Sequence, residues 1–541
     1  MGVTSTRVAA AAACVGVVAA VVTGTVLAGP SEATAQAAPA AGAGFWHTSG
    51  NQLLDAAGNK VRIAGVNWYG FETPDMVAHG LWAQDYHTIL SDIQALGYNT
   101  IRIPFSNQMV ETPVVPQNIT FFNNAGPVNT DLKGLNSLQI LDKIVAAAGQ
   151  DGLKVILDDH RSEAGESAEQ NGLWYTSAFP NTAWVNDWST MAKRYAGNAT
   201  VIGFDLRNEP HTPTGVAYAN GATWGTGDPN TDIRLAYQNA GNAILAVDPQ
   251  ALVFAEGVSE NPTASGGFNS TWWGGNLVEA GQFPVTLSTP GHVVYSAHDY
   301  GPNLFQQTWF NSSTTQASLF GVWHDNWGYL YFQNQPVWVG EFGTGNAATD
   351  ASDTTAGSQG QWFASLVAYI KAAPAMGWTY WAANGEDTYA LLDNNYDATP
   401  VSAGKQQMLA GIQNPLSGGG TGGTTTTGTP PPPPPASCSV AYSVTNAWMG
   451  GFQASVTITN TGTAAINGWT LQWTFGGDQK ISNLWSATDT QTGAQVTVTN
   501  AAFDASIAPS ASVNFGFTAN TSLAGGGTVP TAFTVNGASC H

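Results

Sequence analysis

Charge is scarce in this chain, and positive charge most of all. Lys and Arg together number 15 against 36 Asp and Glu, charged residues make up only 9% of the total, and the formal net charge is -21. A surface of that sign repels nucleic acid and anionic membranes, so those partners are excluded and a neutral polymer is the natural one. Cysteine is nearly absent, with 3 residues, and no Cys/His group has metal-ligand spacing, so neither a zinc site nor any other metal or cofactor is expected. What the chain does have is 62 Gly and 20 Trp. Core packing accounts for some of the tryptophans. The density also suits sugar binding, because an indole face packs on the C–H face of a pyranose ring.

The N-terminus carries one early cation, Arg7, then an apolar run over residues 8–28, a Gly-Pro break and the small-residue stretch Ala35-Gln36-Ala37. This order predicts a secretory signal peptide over 1–37, and hence a secreted, extracellular protein with no membrane association once the signal is cleaved. Cleavage would remove Cys14 and leave Cys438 and Cys540 as an even pair, expected to form one disulfide in an oxidising compartment.

Composition breaks sharply once. Residues 417–429 are Gly/Thr-rich and Pro430 to Pro435 are consecutive prolines, a flexible piece followed by a stiff polyproline rod. This linker, 416–437, separates a large domain at 38–415 from a small one at 438–541. The large domain alternates apolar strand-like segments (61–67, 99–104, 154–160, 201–209, 252–257, 292–300, 337–342, 378–381) with helix-period stretches (85–96, 135–148, 183–195, 233–247, 361–373). Eight strands alternating with helices predict an α/β fold, a parallel (β/α)₈ barrel. The small domain has no helical period. Its short Thr/Val/aromatic alternations at 454–459, 469–475, 495–499 and 512–518 predict an all-β sandwich.

Strands of a parallel barrel are buried on both faces and should be nearly all apolar. The polar and Trp exceptions fall at their C-terminal ends: Arg102, His160, Asn208-Glu209, Glu256, His298 with Tyr300, Glu341 and Trp381. A lone His or Arg is more often a satisfied structural group. Seven such strand ends are hard to explain by folding alone, since unpaired charges there cost stability, whereas a barrel places its active site at these ends. Glu209 and Glu341, facing each other across the mouth, are the minimum equipment for cleaving a glycosidic bond.

The motifs Asn67-Trp68-Tyr69-Gly70, Asn99-Thr-Ile-Arg-Ile-Pro104, Asp158-Asp-His-Arg161, Asn208-Glu209-Pro210, His298-Asp299-Tyr300 and Gly340-Glu341-Phe342-Gly343 resemble, in that order, those of glycoside hydrolase family 5. The similarity covers essentially the whole barrel and is greatest to its secreted bacterial endo-β-1,4-glucanases. The resemblance implies a retaining mechanism with Glu209 as acid/base and Glu341 as nucleophile. Arg102 and Tyr300 would hold Glu341 ionised, Asn208 would reach the sugar 2-hydroxyl, His160 and His298 would bind hydroxyls and tune the pair, and Trp381 would stack on sugar. Glu256 is read as a supporting carboxylate competing with Glu209 for the acid role. Trp68, Trp272, Trp273 and Phe305 are further groove candidates. Asp159 departs from the family pattern, where an Arg commonly precedes the His.

In the small domain, Cys438-Ser-Val, Asn446-Ala-Trp448, Gly468-Trp469, Leu484-Trp485-Ser486 and Cys540 resemble carbohydrate-binding module family 2. That resemblance implies that Cys438 and Cys540 tie the domain's ends together. Trp448 and Trp485 match its exposed stacking residues, Phe503 stands where a third Trp is expected, and Trp469 and Trp473 belong to the core. The expectation is a monomeric cellulose-degrading hydrolase. Mannan, xyloglucan or mixed-linkage glucan are the alternative substrates. A transglycosylase and a non-catalytic polysaccharide-binding surface protein are the competing classes, and intact Glu209, Glu341, Arg102 and Tyr300 argue against the last.

Overall fold

The computed structural model describes residues 41–413 and 438–540, apart from 264, 398, 449, 463–464, 502–504, 510, 523–528, 531 and 537. The signal segment to Ala37, the linker and Phe503 lie outside the described residues.

Eight parallel strands close into a barrel in sequence order: β1 (Ala64–Asn67), β2 (Thr100–Ser106), β3 (Lys154–Arg161), β4 (Val201–Asp205), β5 (Leu252–Glu256), β6 (Val293–His298), β7 (Val337–Glu341) and β8 (Gly377–Tyr380). Every residue of β2 and β3 is buried, as strands covered by helices outside and side chains inside must be. The helices present one apolar stripe each. In Ser137–Gln150 the buried Ile140, Leu141, Ile144, Val145 and Ala148 recur at helical spacing, and Asn136 caps the first turn reciprocally with Gln139. Asn181–Tyr195 buries Trp184, Trp188, Met191 and Tyr195 in the same way.

The stretch 61–67 is not one strand. Lys60–Val61 joins His47–Ser49 and Gln52–Leu54 in a small antiparallel sheet, while Ala64–Asn67 enters the barrel. Arg62 sits at the break, its guanidinium buried and donating to the carbonyls of Met376, Ile412 and Ile370 at 2.8, 3.0 and 3.0 Å. The small sheet brings Trp46, Leu53 and Val61 against Ile63, Ile156, Ile202, Leu252, Val294 and Trp338. These lie toward the strands' N-terminal ends, so that end of the barrel is packed with apolar side chains. Strand four also ends earlier than its apolar run, at Asp205 rather than Glu209. Helices unforeseen from periodicity occur at Asn107–Glu111, Gln316–Trp323, Tyr329–Phe332, Ala348–Ser352 and Ala403–Gln413.

The C-terminal domain is a β-sandwich. One sheet runs Cys438–Trp448, Gly451–Asn460, Ser512–Asn520, Lys480–Trp485. The other runs Ala487–Thr492, Gln495–Asn500, Thr470–Thr474, Phe533–Val535, Ala538–Cys540. Burial alternates along Gly451–Asn460, and Phe452, Val456, Ile458, Trp469, Trp473, Phe515 and Phe517 fill the space between the sheets. Cys438 and Cys540 form the disulfide, closing a span of 102 residues. Among the described residues no helix is long and apolar enough to cross a membrane.

Candidate active site

Arg102 projects from β2 into the barrel with no exposed surface. A buried guanidinium is tolerable only when its donors are spent, and here each nitrogen has a partner. Nε donates to Asp205 Oδ2 at 2.8 Å, and Nη1 to Asn67 Oδ1 at 2.9 Å and Glu341 Oε1 at 2.5 Å. Nη2 donates to Asn208 Oδ1 at 3.0 Å and lies 3.1 Å from Asp158 Oδ1. Side chains from β1, β3, β4, β7 and the loop after β4 thereby converge on one cation.

Glu341, at the end of β7, is 4% exposed. Its second oxygen, Oε2, accepts from the Tyr300 hydroxyl at 2.9 Å and stands 3.5 Å from His298 Nδ1. Burial alone would push this carboxyl up, but the His298 and Arg102 cations outweigh it, and the group is held below the usual range and ionised. Glu209 sits beyond β4 in a left-handed conformation, φ 50°. Its backbone N–H donates to Glu256 Oε2 at 2.5 Å, which fixes that turn. Burial raises the Glu209 carboxyl, against a contact with His298 Nδ1 at 3.3 Å that lowers it. The two carboxyls are thus driven apart, one toward the ionised and one toward the protonated form.

His298, on β6, has no exposed surface and lies 2.5 Å from Glu256 Oε1 through Nε2. Burial disfavours its cation, but Glu256 and Glu341 more than compensate and hold it well above the ordinary imidazole range. Room for the ring comes from Gly340: a Cβ there would fall 2.8 Å from Ser296 Oγ and 3.0 Å from His298 Nε2. One ligand atom each from Glu209, His298 and Glu341 lies within 4.8 Å of the others. Both Glu341 oxygens are already engaged and the neighbouring carboxylates push His298 toward its cationic form, so the cluster suits proton traffic better than a metal ion. Carboxyls this close allow direct attack by one while the other handles the proton, whereas an intervening water would need roughly 6.5–9.5 Å.

His160 Nδ1 donates to Asp158 Oδ2 at 2.7 Å, and burial keeps the ring neutral, well below its ordinary range. Trp381, just past β8, is partly exposed. It is stacked against Tyr69 (5.3 Å, 12°) and His160 (5.7 Å, 21°), and its indole N–H donates to Asp387 Oδ2 at 3.2 Å. Asn208 spends its oxygen on Arg102, and its buried Nδ2 has no hydrogen-bond partner among the described residues.

The structure corrects one expectation and divides the rest of the aromatic set. Trp68 is wholly buried, and its indole N–H donates to the His79 carbonyl at 2.9 Å, so it is a core residue that no substrate can reach. Trp272 is 6% exposed and packs edge-on to Tyr300 and Phe305, which makes it chiefly a support. Trp273 and Phe305 present open faces, 43% and 62% exposed. Trp273 stacks on His211 at 3.7 Å and 4°, and His211 in turn contacts the Glu209 carbonyl through Nδ1 at 2.7 Å. Glu256, expected as a supporting carboxylate, is buried and contacts the Glu209 backbone N–H and the His298 ring. Asp159, the departure from pattern, is a buried partner of Arg207 at 3.1 Å.

Asp205 and His211 were missed by sequence reasoning, and Asn67 and Asp158 were read only as parts of motifs, with no role of their own. Asp158 and Asp205 did carry a signal, as carboxylates inside otherwise apolar parallel strands. In the small domain Trp485 is partly exposed and lies against Gly516, where a Cβ would come 2.3 Å from the indole ring. The backbone of Trp448 ends the first strand of that sheet.

Residues 54–387 match the family described as Cellulase (glycosyl hydrolase family 5), and 438–540 match the Cellulose binding domain family. The chain is 42% identical over 404 residues to an endoglucanase of Paenibacillus polymyxa, covering 74% of this chain and 94% of that protein. It is 35% identical over 496 residues to the major extracellular endoglucanase of Xanthomonas campestris pv. campestris, covering 89% and 96%. Among solved structures, a hyperthermophilic endocellulase from the archaeon Pyrococcus horikoshii superimposes with a TM-score of 0.61 at 34% identity, covering 68% of this chain and 98% of that one. The barrel, its converging carboxylates and these matches agree: the chain belongs to glycoside hydrolase family 5 and carries a C-terminal domain of the cellulose-binding family.

Proposed function

We propose that this protein is a secreted, retaining endo-β-1,4-glucanase that hydrolyses internal bonds of cellulose. The observation carrying the mechanism is the approach of Glu209 and Glu341 to within 4.8 Å, with the first pushed toward the protonated form by burial and the second toward the ionised form by His298 and Arg102. Glu209 donates its proton to the glycosidic oxygen as Glu341 attacks the anomeric carbon, giving a covalent glycosyl-enzyme. Glu209, now a carboxylate, takes a proton from the incoming water, whose attack releases Glu341 and restores the original configuration. Asn208 Nδ2 donates to the sugar 2-hydroxyl, a bond that strengthens as positive charge develops on the ring. Trp381, clamped by Tyr69, His160 and Asp387, is the stacking floor for the non-reducing-side sugar. No step calls for a metal or organic cofactor.

The domain division follows the same reading: signal peptide 1–37, catalytic domain 38–415, linker 416–437 and cellulose-binding module 438–541, acting as a monomer. Trp448, Trp485 and Phe503 stack on glucan chains, and the linker keeps the barrel at high effective concentration over an insoluble substrate. The extracellular relative supports secretion. The test of substrate is viscosity loss against reducing-end release on carboxymethylcellulose, with β-mannan and xylan in parallel. The expected result is a fast viscosity drop on the cellulose derivative alone. Activity mainly on mannan or xylan would keep the mechanism and overturn the substrate.

A further inference from the structure

Lys405 lies in the first turn of the helix Ala403–Gln413 and takes no part in the chemistry above. It has no exposed surface. Buried lysines are rare unless their charge is matched. Here the ammonium faces oxygens from two loops: the Thr344 carbonyl at 3.2 Å and Asn346 Oδ1 at 2.7 Å after β7, and the carbonyls of Tyr389 and Ala390 at 3.0 and 2.7 Å after β8. The Tyr380 ring lies beneath it at 5.2 Å, and the Tyr380 hydroxyl sits between the Thr344 and Tyr389 carbonyls at 2.8 and 3.0 Å.

Both loops lead to the reaction centre. Thr344 is the third residue after Glu341. Tyr389 stacks on Tyr300 with ring centroids 6.1 Å apart, and Tyr300 donates to Glu341. The fit between the loops is close: a Cβ on Gly343 would fall 2.5 Å from the Trp381 carbonyl and 2.8 Å from Tyr389 Cδ2. The carbonyls at 344, 389 and 390 belong to loop backbone outside any ladder, and the Lys405 amino group, whose pKa burial pushes down to about 7, gathers them through its hydrogen bonds. We infer that Lys405 is a positioning residue for the nucleophile, a lysine standing where a bound cation could otherwise clamp the β7 and β8 loops, and that it sets the orientation of Glu341 through Tyr389 and Tyr300.

The inference rests on Glu341 being the nucleophile. Misplacing a reacting group by about 1 Å can cost on the order of 100-fold in rate. Lys405→Ala is therefore expected to lower kcat on an aryl β-cellobioside at least tenfold in the full-length enzyme, with KM within twofold. Propylammonium chloride, which replaces the missing three carbons and the charge, should restore part of that kcat, while sodium chloride at equal ionic strength should not. A kcat within twofold of wild type overturns the inference. So does a loss that equals the unfolded fraction seen by circular dichroism, or one that propylammonium leaves unchanged. Should Lys405→Ala fail to fold, Tyr389→Leu keeps every oxygen around Lys405 and removes only the ring against Tyr300. It is expected to show the same fall in kcat at unchanged KM, and wild-type kcat there overturns the inference equally. An active Glu341→Ala enzyme would instead sink the nucleophile assignment, which keeps the two failures distinct.

Discussion

Arg102 Nη1 donates to Glu341 Oε1 at 2.5 Å while Tyr300 donates to the other oxygen of the same carboxylate at 2.9 Å. Two donors, Arg102 on β2 and Tyr300 just past β6, thus stabilise the ionised form of a carboxylate whose pKa burial alone would raise. Across the mouth, Glu209 has no comparable pair of donors among the described residues, and burial raises its carboxyl. This asymmetry supports the proposed roles, Glu341 as nucleophile and Glu209 as acid/base.

It also sets the pH profile. Glu341 must be ionised and Glu209 protonated, so kcat/KM should rise with pH through the first group and fall through the second. Tyr300→Phe removes a hydrogen bond that lowers the Glu341 pKa, so the acidic limb should move to higher pH, by about one to two units for a bond to a charged group. The alkaline limb should stay in place. A pH–rate profile with an unmoved acidic limb would contradict the assignment.

Gly340→Ala offers a steric check on the same centre. The new methyl would meet Ser296 Oγ and His298 Nε2 within 3.0 Å in a closed barrel interior. Overpacking of this kind costs roughly 1–3 kcal/mol, and displacing His298 removes a cation that lowers Glu341. Both Tm and kcat should fall, kcat by more than tenfold. Retention of wild-type kcat would show that His298 is not held where activity needs it.

Much of this centre was legible in the sequence, because an ionisable residue ending an apolar run has few structural excuses. Glu341, Arg102 and His298 stood out for that reason. What hid was whatever depended on a distant partner. Asp205 and Asp158 are intelligible only once Arg102 lies between them. Trp68 carries the right motif and the right strand end but turns its indole to the His79 carbonyl, a rotamer that no pattern announces. Glu209 was found, yet its place beyond the strand in a left-handed turn depends on Glu256, far along the chain. Lys405 lies outside every motif, and its meaning comes only from two loops meeting over it. The helix Gln316–Trp323 escaped because apolar residues ring it (Leu319, Phe320, Val322 and Trp323), leaving no amphipathic period to read.

The small domain should matter only on a solid. Ending the chain at 415 is expected to lower hydrolysis of insoluble cellulose several-fold through lost effective concentration, and to leave a soluble glucan unaffected. Equal losses on both would contradict the assignment of a binding module. Within it, Trp485→Ala should weaken retention on cellulose, and Gly516→Ala should do so as well, because its methyl would displace the indole.

Cys438 and Cys540 close almost the whole module into one loop. Replacing both by Ser is expected to destabilise it by roughly 2–5 kcal/mol, seen as a lower Tm for the module's transition with kcat on soluble substrate unchanged. An unaltered Tm would show that the sandwich core suffices without the bridge.

The central claim is the division of labour between Glu209 and Glu341, and the configuration of a rescued product tests it most directly. With an activated β-cellobioside and sodium azide, Glu341→Ala should form the α-glycosyl azide, because azide replaces the lost nucleophile in a single inverting step. Glu209→Ala should form the β-glycosyl azide, because azide intercepts the covalent intermediate on Glu341. Observing the opposite pairing of variant and anomer would contradict the account.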